Sequence, residues 1–127
     1  MATRLFLDTH AVVWLHQGDL ARFTKRAVRA LEDGLLAYAP IVRLELEFLF
    51  EIGRVAVSPT EILGDLRRDI GLEVCLRAAV DVVEVGCGET WTRDPFDRCI
   101  VAQARCGREA LLTRDRKIQE NYDLAFW

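Results

Sequence analysis

Arg4-Leu5-Phe6-Leu7-Asp8-Thr9 is the stretch whose reading decides the fold. Three consecutive apolar residues end abruptly in an acid and a hydroxyl, two side chains that start helices by accepting from unpaired backbone N–H groups. A short apolar run bounded in this way reads as a buried strand, here followed by a helix through about Leu15. The pattern recurs. Leu35-Leu36-Ala37-Tyr38-Ala39 precedes Pro40 and a helix from Ile41 to Ile52. Ala110-Leu111-Leu112-Thr113 precedes Asp115 and a short helix from Arg116 to Tyr122. Leu72 to Leu76 alternates and reads as a third strand in chain order, which makes Ala110–Thr113 the fourth.

Between these strands the periodicity is helical. Apolar residues at 20, 23, 27, 28 and 31 predict a helix over Leu20–Asp33, ended by Gly34. Ser58, Pro59 and Glu61 form a helix start, with a run to about Ile70 and Gly71 beyond. Ala78 to Val85 is ambiguous: its valines favour a strand, but its spacing also makes a helical stripe, and a helix is preferred. Asp94-Pro95 opens a helix to about Cys106, and Leu124–Trp127 is a candidate edge strand. The order is that of an α/β domain with a mainly parallel sheet of four to five strands. Ligands bind such sheets beyond the carboxyl ends of the strands, which is where Asp8 and Asp115 fall.

The 127 residues, 51% hydrophobic, are enough for one domain over 1–127 and its core. No apolar run reaches the roughly 20 residues of a membrane span, and the apolar part of Met1–Asp8 is too short for a signal peptide, so a cytoplasmic protein without membrane contact is expected. Cys75, Cys87, Cys99 and Cys106 show no CxxC spacing, and the only histidines are His10 and His16. A zinc site is not expected, and the cysteines read as reduced thiols. The net charge of −3 gives no basic footprint for phosphate binding, so a nucleic-acid role has to rest on local arginines and a metal.

Acids in apolar settings carry the chemistry. Glu45 is the only charge in a stripe with Ile41, Phe48, Leu49 and Ile52; it is read either as half of a salt bridge, with Arg4 or Arg98, or as a metal ligand. Asp97 shares a face with Ile100, Val101 and Ala104, and either completes a box-like helix start with Asp94 or serves as a ligand. Asp8 and Asp115, like Thr9 and Thr113, suit ordinary caps when taken singly. Taken together, Asp8, Glu45, Asp97 and Asp115 can converge on one sheet edge, and carboxylates so placed need a cation or raised pKa values. Oxygen ligands suit Mg²⁺ or Mn²⁺. Arg43, Arg93, Arg98, Arg114 and Arg116 flank the acids and are candidates to grip flanking phosphates, as well as to balance nearby acids. Packing or exposure accounts for His10 and His16 more simply than catalysis. No glycine-rich phosphate loop, GxSxG elbow or Ser-His-Asp set is present.

Leu5-Phe6-Leu7-Asp8-Thr9-His10-Ala11-Val12-Val13-Trp14 resembles the opening motif of PIN-domain proteins. Leu44-Glu45-Leu46 with Glu51-Ile52-Gly53-Arg54-Val55 resembles their glutamate-bearing helix. Arg93-Asp94-Pro95-Phe96-Asp97-Arg98 and Leu111-Leu112-Thr113-Arg114-Asp115 resemble the later acidic motifs, in the right order along nearly the whole chain. The likeness is greatest to VapC-type toxins of bacterial toxin–antitoxin pairs. It implies a three-layer α/β/α fold and a Mg²⁺- or Mn²⁺-dependent endoribonuclease, with Asp8, Glu45, Asp97 and Asp115 as the acidic quartet. Thr9, Asp94 and Thr113 would support those acids. It also implies a homodimer held inactive by a small VapB-like antitoxin, through which alone operator DNA is bound. Arg43 and Thr92 depart from residues common in relatives at those positions, without removing a quartet acid. Two other readings are a catalytically weak RNA- or antitoxin-binding module and a DNA-cleaving PIN nuclease; the small size, with no added DNA-binding segment, counts against the latter.

Overall fold

The computed structural model describes residues 4–127; Met1–Thr3, the first residues of the start read above as leaderless, lie outside the described residues. Five strands, β1 (Arg4–Leu7), β2 (Leu35–Tyr38), β3 (Glu73–Val74), β4 (Ala110–Leu112) and β5 (Ala125–Phe126), form one sheet in the order β3-β2-β1-β4-β5. Every neighbouring pair is parallel. The described residues also hold seven α-helices: α1 (Thr9–His16), α2 (Lys25–Asp33), α3 (Pro40–Glu51), α4 (Pro59–Ile70), α5 (Ala79–Cys87), α6 (Pro95–Cys106) and α7 (Arg116–Asn121). Leu5, Phe6 and Leu7 are all buried. Successive strand residues point to opposite faces, so the central strand is covered on both sides. None of the helices is long and apolar enough to cross a membrane.

Three local expectations are corrected. Leu20–Asp33 is not one helix. A single 3-10 turn at Leu20–Arg22 gives way to extended Phe23, and Thr24 caps α2 by accepting from the Ala27 N–H at 3.0 Å. The break lets Phe23 pack against Trp14 and Trp127. The third strand shrinks to Glu73–Val74, because β3 meets β2 only at Ala37 and Tyr38 and Leu76 then turns out to solvent, 83% exposed. In α3 the buried residues are Val42 and Leu46, while Phe48 and Ile52 stand about half exposed. The real core face is turned from the expected stripe, and Glu45 lies at its margin.

Residues 79–87 are helical, and α5 packs on α6, with Gly86 against the Arg98 backbone and the Ala102 side chain. All four cysteines are free thiols; Cys75 is buried, whereas Cys87 is exposed rather than packed. At the amino ends of β1 and β4, Glu109 is gripped by two guanidiniums. Arg4 Nε donates to it at 2.6 Å, and Arg77 bonds it from the other side. Gly107 leaves the space this needs, since a Cβ there would overlap both Arg77 and Glu109.

Candidate active site

β1 and β4 are adjacent, yet β2 lies beyond one and β5 beyond the other. The crevice where strand order reverses in this way is the usual ligand site of an open parallel sheet. Leu7 and Leu112 are register partners, and the Asp8 N–H donates to the Leu112 carbonyl at 3.0 Å. The first acid and the Thr113–Asp115 loop therefore leave the sheet side by side.

Asp8 is 4% exposed. Its Oδ1 accepts from the Thr9 N–H at 2.8 Å, and its Oδ2 accepts from the fully buried Thr113 hydroxyl at 2.6 Å. The Thr113 oxygen accepts in turn from the Asp115 N–H at 3.1 Å. One hydroxyl thus ties two acids. Asp115 caps α7 through Oδ1, which takes the N–H groups of Lys117 and Ile118. Capping occupies one oxygen and leaves the other, so the cap reading is borne out with one carboxylate oxygen to spare.

Glu45 comes in from α3, and the Thr9 hydroxyl donates to it. The salt bridge considered for it is not formed. Arg4 is engaged by Glu109, and Arg98 donates to the Thr92 carbonyl. Burial pushes the Glu45 carboxyl up; the Thr9 bond opposes this, while Asp8 and Asp94 add to it.

Asp94 caps α6 by accepting from the N–H groups of Phe96 and Asp97. The box-like role for Asp97 fails, because the Asp94 N–H bonds instead to the Thr92 hydroxyl at 3.2 Å. The Asp97 carboxyl is left with no hydrogen bond among the described residues. Burial first, then the charges of Asp94, Asp8, Asp115 and Glu45, push its pKa up to about 7. It faces a cleft of about 410 Å³ that also takes in Asp8, Thr9, His10, Trp14, Glu45, Arg54, Asp94 and Asp115.

None of the five flanking arginines lines this cleft. Arg43 pairs with Glu47 and Thr60 on the side of α3 next to Tyr38, and Arg98 is spent on Thr92. Arg93, Arg114 and Arg116 are exposed, with the Arg114 guanidinium 5.8 Å from the centre of the Trp14 ring. The cleft's one arginine is Arg54, without an ion pair among the described residues. Its side chain is exposed, and nearness in sequence to the acids did not single it out. The clue was Gly53: its positive φ of 78° makes the turn after α3, and the Arg54 N–H closes that turn on the Leu49 carbonyl.

No three His, Cys, Asp or Glu among the described residues already form a closed metal-ligand set. The donors still fit a hard divalent ion. Thiolates are absent from the cleft, its acids repel one another, and magnesium commonly takes only one or two carboxylates with water and phosphate completing its sphere.

The fold resembles several solved toxin–antitoxin complexes. VapBC2 from Rickettsia felis, bound to a DNA fragment of its promoter, superposes with a TM-score of 0.69 at 16% identity, covering 96% of each chain. DNA-bound VapBC from Salmonella typhimurium gives 0.64 at 17% identity, over 98% of this chain and 96% of that one. A toxin–antitoxin complex from Klebsiella pneumoniae gives 0.62 at 18%, over 97% and 96%. No curated protein is similar enough in sequence to count as a relative. The PIN domain matches over residues 5–124, from β1 through the turn that leads into β5. With that match spanning nearly the whole sequence, and the acid cleft lying between its first and fourth strands, the chain belongs to the PIN domain family.

Proposed function

We propose that this protein is a Mg²⁺- or Mn²⁺-dependent endoribonuclease, the toxin of a VapC-type pair. The observation that carries the reading is the convergence of Asp8, Glu45, Asp94, Asp97 and Asp115 on one cleft, with one carboxyl raised to about 7 by burial and by its acidic neighbours. Asp8, Glu45 and Asp97 would hold the ion, directly or through water, and Asp115 would complete the site. When bound, the ion lowers the pKa of a water and offsets charge on a phosphate. The chain's own residues do the rest. Thr113 and Thr9 fix the Asp8 and Glu45 carboxylates, and Asp94 holds the first turn of α6 so that Asp97 faces the cleft. Arg54 grips a phosphate next to the scissile one. Arg93, Arg114 and Arg116 extend the grip along the strand, while Arg43 and Arg98, turned elsewhere, take no part.

The solved neighbours are toxin–antitoxin complexes, two of them bound to DNA. This supports a small VapB-like antitoxin as partner, with operator DNA reached only through it, and a cytoplasmic setting. The exposed Leu44 and Phe48 on α3, with Ile52 just past its end, support a covering protein surface, taken here to include a homodimer contact.

The test is cleavage of a mixed tRNA and ribosomal RNA pool, beside a DNA substrate and an RNA-binding titration, by purified, antitoxin-free protein, with Mn²⁺ or with EDTA. Cuts that need the metal support the reading. A folded protein that binds RNA in Mn²⁺ but cuts nothing overturns it in favour of a binding module. Cuts confined to DNA overturn the RNA assignment.

Two further results are expected. Thr113→Val keeps the side-chain shape but removes the hydroxyl between Asp8 and Asp115; Mn²⁺ affinity should fall about tenfold in a calorimetric titration. Arg54→Gln should raise KM severalfold with kcat little changed, and should flatten the dependence of log KM on log salt by roughly one phosphate contact.

A further inference from the structure

His10 lies in the first turn of α1, its ring 4.8 Å from that of Trp14 and 6.0 Å from that of Trp127, centre to centre. Packing alone does not account for where its nitrogens point. Nε2 is met by the backbone N–H of Arg114 at 2.9 Å. A backbone N–H only donates, so Nε2 must present its lone pair, and the proton of the neutral ring then sits on Nδ1. That atom lies 3.5 Å from Asp8 Oδ2, the same oxygen that accepts the Thr113 hydroxyl. A single ring therefore spans the acid at the end of β1 and the loop from β4 that carries Asp115.

We propose that His10 is a positioning residue: its Nδ1–H tautomer, locked by the Arg114 amide, holds the Asp8 carboxylate in register with the Thr113–Asp115 loop. The inference rests on the nuclease reading for its consequence, since a carboxylate that binds an ion depends on the groups that orient it. His10 acts through Asp8. Thr113 hydrogen-bonds this oxygen at 2.6 Å, whereas the imidazole Nδ1 stands 3.5 Å away and supports it through its N–H dipole rather than a hydrogen bond.

Two measurements decide it. The first is a long-range ¹H–¹⁵N spectrum of the metal-free protein. His16, whose Nε2 meets Asp65 at 2.8 Å well away from the cleft, serves as the internal reference. An Nδ1–H tautomer for His10 is expected; an Nε2–H or averaged ring overturns the lock. The second compares His10→Phe, which keeps a ring against Trp14 and Trp127, with His10→Asn, which keeps a donor near the Nδ1 position. His10→Phe should weaken Mn²⁺ binding and lower kcat, each by about tenfold, with KM nearly unchanged, and His10→Asn should recover much of both. Wild-type affinity and kcat in a folded His10→Phe protein would sink the positioning role while leaving the nuclease standing. If the wild type neither binds Mn²⁺ nor cuts RNA, the nuclease reading fails and takes this role with it. Should His10→Phe not fold, the tautomer measurement still decides.

Discussion

Asp97→Asn is expected to remove the proposed RNA cleavage and at the same time to raise the melting temperature of the metal-free protein. Both effects have one cause. The Asp97 carboxyl is held among four others in a partly buried cleft, with its pKa raised to about 7. An acid whose folded pKa lies above its unfolded value near 4 takes up protons on folding. Its cost is absent below about pH 4, grows between 4 and 7, and is complete above 7. An amide carries no such cost. One pKa unit corresponds to about 1.4 kcal/mol. Solvent in the open cleft screens much of this, so a gain of roughly 1–2 kcal/mol above pH 7 is expected. For a chain of this size that is on the order of 5 °C. Melting curves in EDTA at pH 4 and pH 8 check the sign: the variant should match wild type at the low value and exceed it at the high one. Mn²⁺ should raise the wild-type midpoint and leave the variant almost unmoved. Equal curves at pH 8 would mean that Asp97 feels little of the other acids. Cleavage retained at saturating Mn²⁺ would remove it from the ligand set.

The central strands and most helix starts were legible because each is a local event. Leu5–Leu7 and Ala110–Leu112 are apolar runs cut off by cap residues, and Ser58-Pro59 and Asp94-Pro95 mark where helices begin. The failures were matters of tertiary packing. Periodicity continued through Leu20–Asp33 because nothing local reveals that Phe23 is pulled toward Trp14 and Trp127. The face assigned to α3 was turned because helical spacing defines a stripe but not which neighbour covers it. At the site, spacing identified the acids but could not separate cap from ligand, and the structure shows Asp94 and Asp115 capping with one oxygen each. The arginines were read by nearness in sequence to the acids, whereas the cation that reaches the cleft stands nine residues past Glu45, across a glycine turn.

Glu109→Ala is expected to destabilise the fold by about 2–3 kcal/mol in chemical denaturation. The carboxylate is 13% exposed and lies between Arg4 and Arg77, whose side chains are 39% and 18% exposed. Removing one member of such a group costs more than forming it contributes, because the remaining charges stay in place without their partner. The exposure of Arg4 keeps the figure below that of a fully buried pair. The pH dependence runs opposite to that of Asp97. Burial alone would push the Glu109 carboxyl up, but the Arg4 and Arg77 bonds override it and hold the group below its ordinary range. Its contribution is therefore present above the unfolded pKa near 4.3 and is lost as pH falls through the lower folded value. The difference between wild type and Glu109→Ala should be constant from pH 5 to 8 and shrink below pH 4. Gly107→Ala should mimic it in part, since the added methyl would push the same two side chains apart. Arg4 begins β1 and Glu109 immediately precedes β4, so this network sits at the opposite end of the same two strands whose carboxyl ends carry Asp8 and Asp115. If stability and chemistry are divided between the two ends of the sheet, Glu109→Ala at low temperature should cleave RNA at the wild-type rate per folded molecule. A fall in kcat with folding intact would show instead that the strand ends are mechanically coupled.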